Sequence, residues 1–141
     1  MNSFRRLTVF LAEDSPDDIE IAKRAFKRTK FGCALVIARD GEEALNKLKE
    51  ASFRPDVVIL DINLPKLTGL QVLERTRNEK RLFGVPFIML SASDREEDVR
   101  ASYELGANSY IQKPVVFENF VETLSVLEKY WFEVARLPRS A

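Results

Sequence analysis

A small set of side chains with the right chemistry sits directly behind short apolar runs. Glu13 and Asp14 follow LTVFLA, Asp61 follows VVIL, Ser91 follows FIML, and Lys113 with Pro114 follows SYIQ. If those runs lie side by side, three carboxylates, a hydroxyl and a lysine meet at one rim. Three crowded acids repel one another and raise each other's pKa. A divalent cation among them removes the repulsion, and an all-oxygen ligand set suits Mg²⁺ or Mn²⁺. Lys113 then supplies a second fixed positive charge. Two cations around one carboxylate make a site for phosphoryl transfer, in which an Asp61 oxygen attacks phosphorus and Ser91 donates to a phosphoryl oxygen. Taken singly, Asp14 could begin a turn, Ser91 could cap a helix and Lys113 could be a solvated charge. Asp61 is harder to explain that way, because a carboxylate at the end of a buried strand needs a partner.

The elements that must position these residues are legible. The runs Leu7–Glu13, Cys33–Ala38, Val57–Leu60, Pro86–Leu90 and Ser109–Gln112 are mostly continuous rather than alternating, which predicts parallel strands covered on both faces. Charged segments of helical spacing separate them. The first helix has Ser15 as N-cap, Pro16 at its first position, Asp18 three residues after the cap, and a stripe of Ile19, Ala22 and Phe26. The second starts at Asp40 with Glu43 at capping spacing and carries Ala44, Leu45 and Leu48. The third follows Gly69 with Leu70, Val72 and Leu73. The fourth opens at SDRE, where Ser93 caps and Glu96 answers, and ends before Gly106. The fifth runs from Phe117 past Trp131.

Five β–α units predict an α/β, three-layer doubly wound sandwich with right-handed crossovers. Ligands in such sheets bind beyond the carboxyl ends of the strands, which is where the rim residues stand. The chain reads as one domain over 1–141, with a core of about 7–134, a tail at 135–141, and one long polar connection at 77–86.

Composition narrows the chemistry further. The 141 residues include no histidine, which excludes Ser-His-Asp and Cys-His catalysis, histidine-ligated metal and a phosphohistidine carrier. Acids and bases balance at 22 each, so no net field favours nucleic acid or an anionic membrane. The single Cys33 forms no internal disulfide and fits a reducing compartment. Charges at Glu13 and Asp14 interrupt the apolar N-terminal stretch, which argues against a signal peptide. No run approaches the ~20 residues of a membrane span. A cytoplasmic location is expected.

The stretches VFLAEDSPDD, VVILDINLPKLTGLQVL, FIMLSAS and GANSYIQKPV resemble the receiver domains of two-component response regulators, the CheY-like family. The resemblance covers almost the whole chain and implies a flavodoxin-like fold with a five-stranded parallel sheet in the order 2-1-3-4-5. It implies roles as well. Asp61 would accept the phosphoryl group from a sensor histidine kinase. Glu13, Asp14, Asp61 and the backbone carbonyl of Asn63 would hold the metal. Lys113 would complete the site, Ser91 and Tyr110 would form the switch, and Lys113–Pro114 would be cis. The family often has aspartate where Thr68 stands, outside the chemistry. The segments RNEKRLFGVP, YELGANSYIQKPV and EKYWFEVARLP look like those of small single-domain regulators partnered with bacterial phytochrome histidine kinases. The downstream protein is not indicated.

Rival functions fit less well. A haloacid-dehalogenase-type phosphatase would need an acid two residues after its nucleophile, where this chain has Asn63. A flavin or nucleotide carrier would need a glycine-rich phosphate loop, and neither G-x-G-x-x-G nor a P-loop is present. DNA binding lacks a basic face, and a receiver-like interaction module that is never phosphorylated stays as an alternative. On the fifth helix, Phe117, Phe120, Val121, Leu124, Leu127 and Trp131 should cover the sheet. Val126, Tyr130, Val134 and Leu137 form a second stripe, which predicts a homodimer.

Overall fold

A computed structural model describes residues 7–27, 33–114 and 117–138. Five strands alternate with five helices: β1 Leu7–Ala12, α1 Pro16–Lys27, β2 Cys33–Ala38, α2 Gly41–Leu48, β3 Val57–Asp61, α3 Gly69–Thr76, β4 Phe87–Ser91, α4 Glu96–Glu104, β5 Ser109–Gln112 and α5 Phe117–Lys129. All strand pairs are parallel, in the order β2-β1-β3-β4-β5.

Every residue of β3 and β4 is buried, so their continuous apolar character follows from cover on both faces. Alternate side chains divide between two cores. Phe10, Ala12, Val58, Leu60 and Met89 pack with Ala44 and Leu48 of α2 and Val72 and Leu73 of α3. Val9, Leu11, Ile59, Ile88 and Leu90 pack with Ala22 and Phe26 of α1 and Phe120 and Leu124 of α5. Each such large aliphatic contributes roughly 1.5–3 kcal/mol by leaving water. The core thereby pins the strand ends that carry the polar rim. The helix α4 differs from the others, since Ser102 is its one fully buried residue.

The caps form largely as the sequence predicts. Asp18 N–H donates to Ser15 Oγ (3.3 Å) and Glu43 N–H to Asp40 Oδ1 (2.7 Å). Thr68 and Gln71 form a reciprocal capping box at the start of α3. The fourth helix is an exception. It begins at Glu96 behind Arg95, which offers no side-chain cap. Ser93 Oγ instead donates to Asp98 Oδ2 (2.6 Å) and accepts from Arg95 N–H (3.1 Å). The hydroxyl donates its one proton to the carboxylate while its oxygen still accepts a backbone N–H, that of Arg95 rather than of Glu96.

Two further expectations are corrected. No peptide bond among the described residues is cis, so Lys113–Pro114 is trans. Proline narrows the preference for trans to about 0.5–1 kcal/mol without reversing it, and the trans chain already delivers Lys113 to the acids. Leu137 does not continue the outer stripe of α5; it packs against the same core as Leu127 and Trp131. The helix widens into a π turn at Tyr130–Val134 and gives way to extended backbone at Ala135, so helical spacing no longer predicts the face of Leu137. The side chain of Phe117 and residues 139–141 of the expected tail lie outside the described residues.

The long 77–86 connection holds a 3₁₀ turn, Lys80–Leu82, fastened by two arginines. Arg54 Nε donates to the Arg81 carbonyl (3.0 Å) and Arg81 Nε to the Phe53 carbonyl (3.0 Å).

Candidate functional site at the carboxyl rim of the sheet

Backbone hydrogen bonds carry the order of the sheet to the rim. Glu13 N–H donates to the Ala38 carbonyl (2.9 Å), and Lys113 N–H to the Ser91 carbonyl (2.7 Å). Asp61, the last residue of β3, is in register with Leu90, one residue before Ser91. Behind Asp61 lies the start of α3. A Cβ on Gly69 would fall 2.1 Å from the Asp61 carbonyl oxygen, so only glycine lets this helix begin where it does.

Lys113 is the hub. Its Nζ donates to Glu13 Oε1 (2.5 Å), Asp18 Oδ2 (2.9 Å) and Asp61 Oδ2 (2.9 Å). The Lys113 side chain is 10% exposed, and those of Glu13 and Asp61 are 2% and 7% exposed. The remaining oxygens are also engaged, Asp61 Oδ1 by Asn63 N–H (3.0 Å) and Glu13 Oε2 by Ser15 N–H (3.1 Å). Burial alone would lower the pKa of the lysine, but its hydrogen bonds to Glu13, Asp18 and Asp61 outweigh that and raise it. Burial, and then the charge of Asp61, push Glu13 up to about 7 against the pull of Lys113. One cation is too few for the acids gathered here.

Glu13, Asp14 and Asp61 each bring a carboxylate oxygen within 4.8 Å of the others. Two of these acids are buried and Asp14 is exposed. This all-oxygen set, with uncompensated negative charge, fits a hard divalent cation.

Glu13, Asp14, Asp61 and Lys113 thus come together as expected. Ser91 is fully buried beside them, and its Oγ accepts from Ser93 N–H (3.1 Å). Tyr110 stands further out, its hydroxyl donating to the Ser93 carbonyl (2.7 Å). Asn63 is exposed, and its N–H points to Asp61. Asp18 was missed as a partner of Lys113. Acids in a first helical turn already have a reason to be there, because they complement the helix dipole, so nothing local marked it out.

The chain matches the response regulator receiver domain over residues 9–125. It belongs to that family. It is 34% identical over 135 residues to Response regulator Rcp1 of Synechocystis sp., covering 92% of both chains. Among solved structures it is similar to the phosphorylated cyanobacterial phytochrome response regulator RcpA, with a TM-score of 0.92 and 32% identity, covering 96% of this chain and all of that one. It is also similar to the Mn²⁺-bound form of Rcp1, with a TM-score of 0.89 and 33% identity, covering 94% of this chain and 99% of that one.

The protein is therefore a receiver of a response regulator that signals in a phosphorylation-dependent way. Membership implies a sensor kinase as partner and a divalent metal at the acid cluster. Neither the phosphatase nor the carrier reading is favoured. Among the described residues, no helix is long and apolar enough to cross a membrane.

Proposed function

We propose that Asp61 is the phosphoacceptor of a cytoplasmic single-domain receiver, that Mg²⁺ is its metal, and that its donor is a histidine kinase of the phytochrome type. The observation that carries the reading is the position of Asp61. It is a buried carboxylate at the end of a rigid strand, 2.9 Å from Lys113 Nζ and within reach of two further acids. Glu13, Asp14, Asp61 and the Asn63 carbonyl would hold Mg²⁺, which when bound neutralises charge on the phosphoryl oxygens. An Asp61 oxygen attacks phosphorus, the P–N bond to the histidine of the kinase breaks, and the imidazole nitrogen keeps that electron pair. Lys113 stays protonated throughout and faces the added negative charge. No turnover of other phosphate esters is expected, because Asn63 stands where a phosphatase of this type has its second acid.

Ser91 and Tyr110 form the switch. The phosphoryl group adds charge and acceptor oxygens at the rim, Ser91 turns toward it, and Tyr110 moves into the space released. The similarity to RcpA, a phytochrome response regulator by its description, supports the choice of kinase. Val126, Tyr130 and Val134 are 61%, 49% and 66% exposed, which supports a homodimer through this face.

The test is incubation with acetyl phosphate and Mg²⁺, followed by intact mass. Wild type gains one phosphoryl group, and chelator or Asp61→Asn abolishes the gain. An undiminished rate in Asp61→Asn overturns the assignment. Light scattering at micromolar protein should show a dimer that charge substitutions at Val126 and Tyr130 dissolve. A strict monomer with and without beryllofluoride ends the dimer reading.

A further inference from the structure

The disagreement at the start of α4 carries an inference. The sequence S-D-R-E at 93–96 is a capping box: Ser93 Oγ would accept from Glu96 N–H, and the Glu96 carboxylate would accept from Ser93 N–H. The structure instead starts α4 two residues later, behind an uncapped Arg95. Ser93 Oγ accepts from Arg95 N–H (3.1 Å) rather than from Glu96, and the other polar groups of Ser93 have partners outside the box. Its N–H donates to Ser91 Oγ (3.1 Å), its carbonyl accepts from Tyr110 OH (2.7 Å), and its hydroxyl donates to Asp98 Oδ2 (2.6 Å).

One donor therefore has two competing acceptors. Ser93 N–H can go to Ser91 Oγ or to the Glu96 carboxylate, but not to both. The Ser93 carbonyl has two lone pairs: it accepts from Tyr110 OH now, and as an N-cap carbonyl it would also accept the N–H four residues on, that of Glu97. The helix itself resists a change of register weakly, because Ser102 is its one fully buried residue.

We infer that α4 has two starts, and that Ser91 selects between them by holding or releasing Ser93 N–H. While Ser91 holds it, α4 begins at Glu96. When Ser91 turns to a phosphoryl oxygen, Ser93 becomes the N-cap, Glu96 closes the capping box, Asp94 and Arg95 join the helix, and the Ser93 carbonyl gains Glu97 N–H. Glu96 and Ser93 are positioning residues in this device and touch no phosphoryl group. The link to phosphorylation rests on the reading of Asp61 given above; the competition for Ser93 N–H does not.

The test is amide hydrogen exchange at Glu96 and Glu97, resolved by NMR. Their N–H groups gain partners only in the longer register. Without any phosphoryl donor, Ser91→Ala should slow both amides about tenfold. Adding Glu96→Ala should restore the wild-type rate, whereas adding Glu96→Gln, which can still close the box, should not. Unchanged exchange in Ser91→Ala, or slowing that survives Glu96→Ala, overturns the proposal. Wild type given Mg²⁺ and beryllofluoride provides a second arm that needs no substitution, with occupancy read by fluorine NMR. Slowing at both amides supports the link, and an occupied site without slowing overturns it. Failure to bind beryllofluoride beside clear slowing in Ser91→Ala would count against the Asp61 reading and support the two starts.

Discussion

The acid cluster and the α4–β5 face sit at neighbouring edges of one sheet and are built in opposite ways. Asp61 ends a fully buried strand, and Lys113 reaches three carboxylates at 2.5–2.9 Å. Around Ser93 the contacts are single hydrogen bonds between a loop, a barely buried helix and an edge strand. Tyr110 N–H donates to Tyr103 OH (3.0 Å), and Tyr103 itself is 49% exposed. Chemistry at phosphorus needs groups that do not move, and a signal needs a part that moves at small cost. The contrast is between apolar burial, which is large and shared by many residues, and hydrogen bonds of about 1 kcal/mol each.

The largest expected effect comes from the rigid side. Lys113→Met should slow phosphorylation by acetyl phosphate by about 10²–10³, the usual effect of removing one fixed electrostatic group. A loss below threefold would mean that Lys113 is only a structural tie. Next, Gly69→Ala should destabilise the protein by about 3 kcal/mol, because its methyl would meet the Asp61 carbonyl. Urea unfolding measures this, and a change below 1 kcal/mol would show that the rim can yield, which breaks the comparison.

Glu13 gives a pH test. Its folded pKa of about 7 lies above the ordinary value of 4.5. Below 4.5 both folded and unfolded states hold the proton, and Glu13 has no effect. Between 4.5 and 7 the unfolded chain ionises first, so stability falls as pH rises, by about 3 kcal/mol in all at 1.36 kcal/mol per unit. Glu13→Gln should therefore stabilise the metal-free protein by about that amount at pH 8 and by little at pH 4.5. Equal effects at both values would refute the raised pKa. The smallest effect belongs to the soft side. Tyr103→Phe removes the acceptor of Tyr110 N–H and should cost about 1 kcal/mol, leaving Asp61 phosphorylation unchanged. A slower phosphorylation would show that the two regions are not separable.

Much of the site was legible because the apolar runs end where the chemistry begins. Val57–Leu60 are followed at once by Asp61, and SYIQ by Lys113, so a reading of strands is also a reading of the rim. Caps at Ser15 and Asp40 are equally local and formed as expected, whereas the capping box of Thr68 and Gln71 was not anticipated. The helix of α4 was misplaced at its start because the capping signal is local while its competitor for Ser93 N–H, Ser91, lies on a strand. Leu137 was assigned to the wrong face because helical spacing was carried past the point where the helix widens.

The sequence by itself determined the strand–helix alternation, the parallel sheet and the types of side chain at its rim, since these follow from the period and length of apolar runs. Only the tertiary structure decided what those side chains do to one another. It brought the Asp18 carboxylate to Lys113, set Gly69 against the carbonyl of Asp61, and raised the pKa of Glu13 by burial beside a second acid. Each of these depends on a distance through space, and spacing along the sequence carries no record of it.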